Sequence, residues 1–373
     1  MSKKVLITAT VQSHICQFQK PLAKLLQEHG YEVHIAARDN LAEKNGLQLE
    51  YVDKVFNIPF DRSPFSKRNI TAYKELSKVL EQNQYDIIHC NTPMGGVVTR
   101  LAANKYRKQG VTKVYYTAHG FHFYNGAPLQ NWLIYYPIEK TMSRITDKLI
   151  TITTEDFNLA TDKFHADVYR LHGVGANSNK YYIMTDEEKQ ALRQELGFSP
   201  DDKIVLNVGE LLPNKNQRTA ILAMQKVIEK IPDAKLLIAG NGSEHDNLQQ
   251  LITSNNLQNN VILLGYTTQL FKYMNICDML VACSFREGLP LNLMEAMLCG
   301  KPIVASKNRG HRELINDGVN GFLVDVQDVD AYASKIISVL TEGKDYADIA
   351  HQCVQPFTDK SVICELKSLY ELE

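Results

Sequence analysis

Short apolar runs of strand length alternate along the chain with segments whose apolar residues recur at helical spacing. KVLITAT (4–10), EVHIAAR (32–38), VDKVFNI (52–58), DIIHC (86–90), KVYYTAH (113–119) and DKLITIT (147–153) read as strands. HICQFQKPLAKLLQEHG (14–30) puts Ile15, Phe18, Leu22, Leu25 and Leu26 on one helical face and stops at Gly30. The strands lack strict polar–apolar alternation, which predicts a parallel sheet covered on both faces. The pattern then restarts with KIVLNVGE (203–210), KLLIAG (235–240), VILLG (261–265), DMLVAC (278–283), PIVASK (302–307) and FLVD (322–325). HGVGANSNKYYIMTDEEK (172–189) lies between the two sets and reads as a linker. The expected fold is α/β, with two doubly wound, Rossmann-like domains over 1–175 and 176–355. A C-terminal helix over 356–373, set off by Pro356, is expected to pack back towards the first domain. Ligands of such sheets bind outside the carboxyl ends of the strands.

Composition narrows the classes. The 373 residues exceed one ordinary core, and 44% hydrophobic with 22% charged residues is normal for a globular protein. A net charge of −1 gives no whole-molecule signal for a polyanion, and no nucleic-acid partner is expected. The halves differ, however: residues 1–170 hold 22 Lys+Arg against 16 Asp+Glu, and the remainder 19 against 26. Such asymmetry suits a first domain that meets an anionic surface. The seven cysteines are odd in number, scattered and without C-x-x-C, which implies a reducing compartment with neither disulfide framework nor zinc site. The opening MSKKVLITATVQSH is read as a strand-length run and not as a signal peptide, and no apolar run reaches the roughly 18 residues of a membrane span.

The chemistry concentrates in SFREGLPLNLMEAMLCGKPIVAS (284–306), read as strand end, loop, apolar helix and buried strand. Pro290 suits the first turn of the helix, and the N–H groups of Gly288, Leu289, Leu291 and Asn292 face an anion site with the helix dipole behind it. Gly288 permits close approach of a ligand to the backbone. Glu295 stands among Leu293, Met294, Ala296, Met297 and Leu298, so its carboxylate must find donors, such as ribose hydroxyls. Glu287, in the loop, is placed to meet a sugar. The alternative is that Glu295 accepts from neighbouring backbone and Glu287 is a solvated loop charge.

EGLPLNLMEAM, followed by CGKPIVAS and RGHRELINDGVNGFLV, resembles the E-x7-E region of the GT4-family glycosyltransferases, which are retaining enzymes of the GT-B fold. TATVQSHICQFQKPLAKLL, CNTPMGGVVTRLAA, YTAHGFHFYNGAPLQNWLIYYPIEK, HGVGANSNK and GELLPNKNQ extend the resemblance over nearly the whole chain, towards the branch that builds bacterial capsule and exopolysaccharide. The resemblance implies two domains facing across a cleft and a nucleotide diphosphate sugar as donor, UDP-hexose or UDP-N-acetylhexosamine by default, with no other cofactor. It implies that Glu295 holds the donor ribose, Glu287 touches the transferred sugar or orders the site around it, and the amides after Gly288 cradle the diphosphate beside Gly209. Lys215 matches the lysine that neutralises the leaving phosphates, as a point charge can. His119 matches the cleft histidine that contacts the sugar, and His14 falls on the acceptor side.

One departure stands out. The family often has Gly-Arg where this chain has Gly209-Glu210, so either Lys215 acts with backbone amides or another cation helps, Arg218 and Arg286 being the candidates. Glu210 either points away from the ligand or orders Lys215. No metal is expected: the D-x-D at Asp328–Asp330 opens a helical stretch and reads as a cap. The implied acceptor is a saccharide on a polyprenyl diphosphate, met at the inner face of the cell membrane by a cytoplasmic enzyme. Two basic segments (Arg62, Lys67, Arg68, Lys74, Lys78 and Arg100, Lys105, Arg107, Lys108) and the aromatic run NWLIYYPIEK (131–140) are the candidates for surface contact, against a reading as solvated helix faces and core. A non-catalytic partner subunit and a GT-B sugar-nucleotide epimerase are the alternatives. The G-x-G-x-x-G that a nicotinamide dehydrogenase needs after its first strand is replaced by T-A-T-V-Q-S-H.

Overall fold

The computed structural model describes residues 2–44, 46–343 and 345–373. It divides into two compact units, Met1–Val174 with Val362–Glu373, and Gly175–Ser361.

The first unit is built on strands β1 (Lys4–Val11), β2 (Glu32–Arg38), β3 (Lys54–Asn57), β4 (Ile87–Asn91), β5 (Lys113–Ala118), β6 (Lys148–Thr151) and β7 (Asp167–Arg170). They form one parallel sheet in the order β3-β2-β1-β4-β5-β6-β7. Val5 of the central β1 lies opposite both Val33 and Ile87 and is fully buried, as an inner strand covered on two faces must be. One face packs Ile15, Leu22 and Leu26 together with Val362, Leu366, Leu369 and Tyr370 of the C-terminal helix Asp359–Tyr370. The other packs Phe60, Ala72, Leu76, Val98 and Ala103. Polar ties hold the terminal helix on its face: Lys148 Nζ donates to Leu369 O at 2.6 Å, and the Tyr370 hydroxyl meets His89 Nδ1.

The second unit repeats the plan with β8 (Lys203–Val208), β9 (Ala234–Ala239), β10 (Val261–Gly265), β11 (Met279–Ala282), β12 (Ile303–Ser306) and β13 (Gly321–Val324), ordered β10-β9-β8-β11-β12-β13 and all parallel. In each sheet the winding reverses once. The reversal falls between β1 and β4 in the first unit and between β8 and β11 in the second. Two neighbouring loops part at these points and leave a crevice at the carboxyl edge.

Local departures from the sequence pattern have local causes. The expected helix over 14–30 is two helices, Gln12–Phe18 and Lys20–Glu28, broken at Gln19, because Pro21 has no N–H to continue the ladder. The end of the linker is ordered: Thr185 and Glu188 form a reciprocal capping box that starts a helix at Asp186. Strand β7, DVYR, escapes the reading because it is short and only half-buried at the sheet edge. Asp328 caps its helix by accepting from the Ala331 N–H at 2.9 Å, and Asp330 pairs with Lys226.

Candidate functional site

In the second unit the loops after β8, β9, β11 and β12 converge on the carboxyl edge, and glycines let them touch. A Cβ on Gly240 would lie 1.9 Å from the Gly209 carbonyl oxygen, and one on Gly310 would lie 2.4 Å from that of Gly288 and 2.9 Å from the Glu287 Cβ. Ser306 Oγ and Asn308 Nδ2 both donate to Ser284 O, at 2.6 and 2.9 Å, and tie the β11 loop to the end of β12. The helix Leu291–Leu298 starts there, one residue later than the sequence suggests: Pro290 occupies the cap with extended backbone, not the first turn. The first N–H groups of any helix lack acceptors within it, and those of Leu291 and Asn292 open the helix at this edge. The Asn292 side chain is committed elsewhere, donating to Val208 O at 2.9 Å and locking the helix to β8. Leu289 packs against the core and Leu291 is exposed.

Lys215 reaches the same place from the turn Pro213–Lys215. Its aliphatic stem runs over Gly209, within 3.4–3.7 Å of where a Cβ would stand, and its ammonium donates to Glu287 Oε1 at 2.7 Å. Both partners are mostly buried, with side-chain exposures of 26% and 15%. Asn216 follows with a left-handed backbone (φ 51), where its side chain donates to Cys283 O and Val326 O. Glu210 is exposed, and Lys215 pairs with Glu287 and not with it.

Glu295 is partly buried one turn into the helix. Burial pushes its carboxyl up to about 7, against the opposing pull of the Tyr181 hydroxyl and the Lys180 ammonium. A carboxylate in this state gains strongly from any further donor. His311, after β12, is buried with Nδ1 against Ser306 O at 2.9 Å; burial moves it down to about 4, with Glu287 pulling the other way.

In the first unit, His14 and His119 meet edge to face with ring centroids 4.6 Å apart, and Phe18 lies 4.8 Å from His14 and 5.6 Å from His119. Asn91 Oδ1 accepts from Gln19 Nε2 at 2.9 Å and lies 3.1 Å from His119 Nε2. That oxygen can only accept, so His119 carries its proton on Nε2 and offers Nδ1 as an acceptor. Burial brings His119 down to about 4; burial, His119 and Arg62 together hold His14 well below the ordinary imidazole range. Both rings are therefore neutral near pH 7.

The structure thus brings Gly209, Lys215, Glu287, Gly288 and the helix start together in one unit, with Glu295 one turn behind, and His14 with His119 in the other. Sequence reasoning missed Gly310 and His311, although RGHRELIN was noticed, because a close approach is visible only once two loops are folded side by side. It missed Tyr181 as the partner of Glu295, since nothing local connects them. Among the proposed surface cations, Arg100 is buried, paired with Glu139 at 2.9 Å and stacked on Tyr116, and Arg107 pairs with Asp147.

Comparison with known proteins agrees with this layout. The family described as "Glycosyl transferases group 1" matches residues 188–353, and "Glycosyl transferase 4-like" matches residues 4–153. The chain is 43% identical over 338 residues to EpsD of Bacillus subtilis (strain 168), which is named as a glycosyltransferase; the match covers 90% of this chain and 87% of EpsD. It is 26% identical to the UDP-Gal:alpha-D-GlcNAc-diphosphoundecaprenol alpha-1,3-galactosyltransferase of Escherichia coli, covering 93% and 90% of the two chains. Among solved structures, Anabaena Alr3699/HepE in complex with UDP superposes with a TM-score of 0.78 at 22% identity, over 99% of this chain and 100% of that one.

Proposed function

The chain belongs to the glycosyltransferases, with their two-domain GT-B architecture, and from that premise we propose that it moves a sugar from a nucleotide diphosphate sugar to a lipid-linked saccharide with retention of anomeric configuration. The proposed donor is a UDP-hexose or UDP-N-acetylhexosamine, and the proposed setting is bacterial capsule or exopolysaccharide assembly. HepE holds UDP, and the galactosyltransferase is named for UDP-Gal and a diphosphoundecaprenol acceptor; both support this choice.

The observation that carries the reading is the Lys215–Glu287 pair beside the start of the Leu291–Leu298 helix, at the reversal point of the second sheet. In the proposed mechanism the diphosphate lies against the helix start and Gly288, where the partial positive charge is fixed in advance. Lys215 turns from Glu287 to the phosphates, and Glu287 is freed to meet the sugar hydroxyls. Glu295 takes the ribose diol. His119 meets the transferred sugar through Nδ1, and His14 stands on the acceptor side. The bond between the anomeric carbon and the diphosphate oxygen breaks, the acceptor hydroxyl oxygen bonds to that carbon on the same face, and its proton goes to the leaving phosphate oxygen. Nucleoside diphosphate is released, and the proposed step is written without a divalent metal.

The proposed acceptor brings the first unit to a membrane surface. The helix Leu129–Met142 exposes Leu129, Leu133 and Ile134 beside the half-buried Trp132 and Tyr136, the mixture that settles at a bilayer boundary. No helix of the described residues is long and apolar enough to cross the bilayer.

The test is thermal stabilisation by UDP, GDP and dTDP, followed by transfer from the matching sugar nucleotides to lipid diphosphate saccharides. A ligand that binds only the native state raises its midpoint. We expect UDP to stabilise, Glu295→Ala to weaken that effect and Lys215→Ala to impair transfer. Normal donor affinity and turnover in both variants would overturn the site. Sugar isomerisation without an acceptor would replace transfer with epimerisation, and neither activity would leave a partner subunit.

A further inference from the structure

The turn that carries Lys215 and the loop that carries Glu287 are tied into one piece. The Phe285 N–H donates to Asn214 O at 2.8 Å, Asn214 Nδ2 donates to Arg286 O at 3.0 Å, and Asn216 Nδ2 donates to Cys283 O at 3.2 Å. Gly310 presses on the loop from the other side, so close that a Cβ on it would stand 2.9 Å from the Glu287 Cβ. The ion pair therefore opens by rotation of side chains and not by parting of the loops. When Lys215 turns away, the Glu287 carboxylate stays beside the helix start. Among the described residues Lys215 is the hydrogen-bond donor to Glu287, and at 15% exposure little water takes its place.

A diphosphate at the helix start competes for the same ammonium. What Glu287 receives in return depends on the ligand. A sugar nucleotide brings hydroxyls, and a hydroxyl that donates to a carboxylate makes one of the stronger hydrogen bonds. A nucleoside diphosphate brings no donor there. Where the sugar was, it has a terminal phosphate oxygen. A phosphate monoester loses its second proton near about pH 6, so at pH 7.5 it carries about one more negative charge than the diester it came from. Like charges repel most where water is scarce. Glu210, which follows Gly209, is exposed and supplies no cation to offset this.

We infer that Glu287 makes this site prefer the sugar nucleotide to the nucleoside diphosphate that transfer leaves behind, so that the reaction itself loosens its product. The inference rests on the nucleotide-sugar donor proposed above and adds an order of affinities and the residue that sets it. In the transfer step the bond between the anomeric carbon and the diphosphate oxygen breaks, and the acceptor proton passes to that oxygen. At pH 7.5 the proton then leaves for solvent, and the charge it uncovers faces Glu287.

The probes are UDP, its β-methyl ester, UDP-glucose, UDP-galactose, UDP-N-acetylglucosamine and UDP-N-acetylgalactosamine, titrated by calorimetry into the whole protein at pH 7.5 and one ionic strength. The methyl ester has the charge of a sugar nucleotide without the sugar hydroxyls, so it separates the two contributions in the wild type. At least one sugar nucleotide is expected to bind about tenfold or more tighter than UDP, the lower end for a hydrogen bond to a charged group, with the methyl ester between them. Glu287→Gln keeps the shape and an acceptor for Lys215. It should tighten UDP by about fivefold, the worth of a part-buried ion pair, and leave the sugar nucleotide no tighter. Glu210→Gln, an exposed and screened charge, should change UDP by less than about twofold. Wild-type UDP as tight as every sugar nucleotide, or tighter, overturns the inference. So does an unchanged ratio in Glu287→Gln, or an equal effect of Glu210→Gln. In each of these cases sugar transfer with release of UDP leaves the glycosyltransferase reading standing. Binding of none of the six, with no transfer from any of the four donors, removes both.

Discussion

Replacing Glu295 by Gln tests whether the second unit keeps an acid in reserve for its ligand. The carboxyl is moved from 4.5 to about 7, chiefly by burial. At about 1.4 kcal/mol per unit, ionising it in the folded protein costs about 3 kcal/mol more than in the unfolded chain. The sign follows from the direction. An acid whose folded pKa is raised contributes stability that is fully present below the unfolded value of 4.5 and is lost as the pH climbs through 7. The glutamine variant has nothing to ionise. Wild type should therefore lose up to about 3 kcal/mol relative to Glu295→Gln between pH 4.5 and 8. Hydrogen exchange of the 287–299 segment, read as the ratio of wild type to variant at each pH, isolates this unit and cancels the intrinsic pH dependence of exchange. A ratio that stays constant across that range would refute the reasoning.

The same proton reports on binding. A ribose diol donates better to a carboxylate than to a carboxylic acid, so a nucleotide seated on Glu295 favours the ionised form. At pH 6, with a carboxyl near 7, about nine in ten molecules are protonated and must release that proton on binding. Calorimetry of UDP at pH 6 in two buffers of different ionisation enthalpy should show release of up to one proton, and affinity should rise by about tenfold towards pH 8. Glu295→Gln should show neither. Proton release that persists in the variant would mean that another group titrates.

Three further perturbations bear on the framework. Lys215→Ala strands the Glu287 carboxylate at 15% exposure; a double-mutant cycle with Glu287→Ala, read by denaturant unfolding, should give a coupling of about 1 kcal/mol, and none would show the pair to be incidental. Gly310→Ala sets a methyl 2.4 Å from the Gly288 oxygen and must push the β11 loop aside; a loss of about 1–3 kcal/mol by thermal unfolding is expected, with donor affinity falling too, and a neutral variant would remove the close approach. Arg100→Ala leaves Glu139 buried without its cation and should cost about 3–5 kcal/mol, whereas Arg100→Met with Glu139→Leu should recover most of it; equal losses in both would show that the arginine matters for its packing alone.

What the sequence discloses about this molecule follows the range of the forces involved. Strand positions are legible because a buried parallel strand must be apolar throughout: KVLITAT, DMLVAC and PIVASK need no partner to be recognised. Gly30 ends its helix with a left-handed backbone, and Asp328 caps as its position suggests, because both are settled within one turn. Arg100 is misleading for the opposite reason. Its neighbours in sequence are Lys105, Arg107 and Lys108, but its neighbours in space are Glu139 and Tyr116, so a cation that reads as surface is core.

The site lies between these extremes. Glu287, Gly288 and Glu295 share one loop and helix, as the sequence discloses, but spacing alone leaves open whether both carboxylates serve a ligand. The state of each group is set by residues from elsewhere: Lys215 neutralises Glu287, Tyr181 steadies Glu295, and Gly310 lets two loops close. A motif therefore names the candidate groups, while the strand order decides which charged partners stand beside them. The reversal between β8 and β11 places Lys215 over Gly209 and against Glu287. The reversal between β1 and β4 sets His14 and Thr92 around one cavity by the same rule. That His14 Nε2 carries no hydrogen-bond partner is a property of the second arrangement and of no segment within it, so the sequence names the residue without disclosing that state.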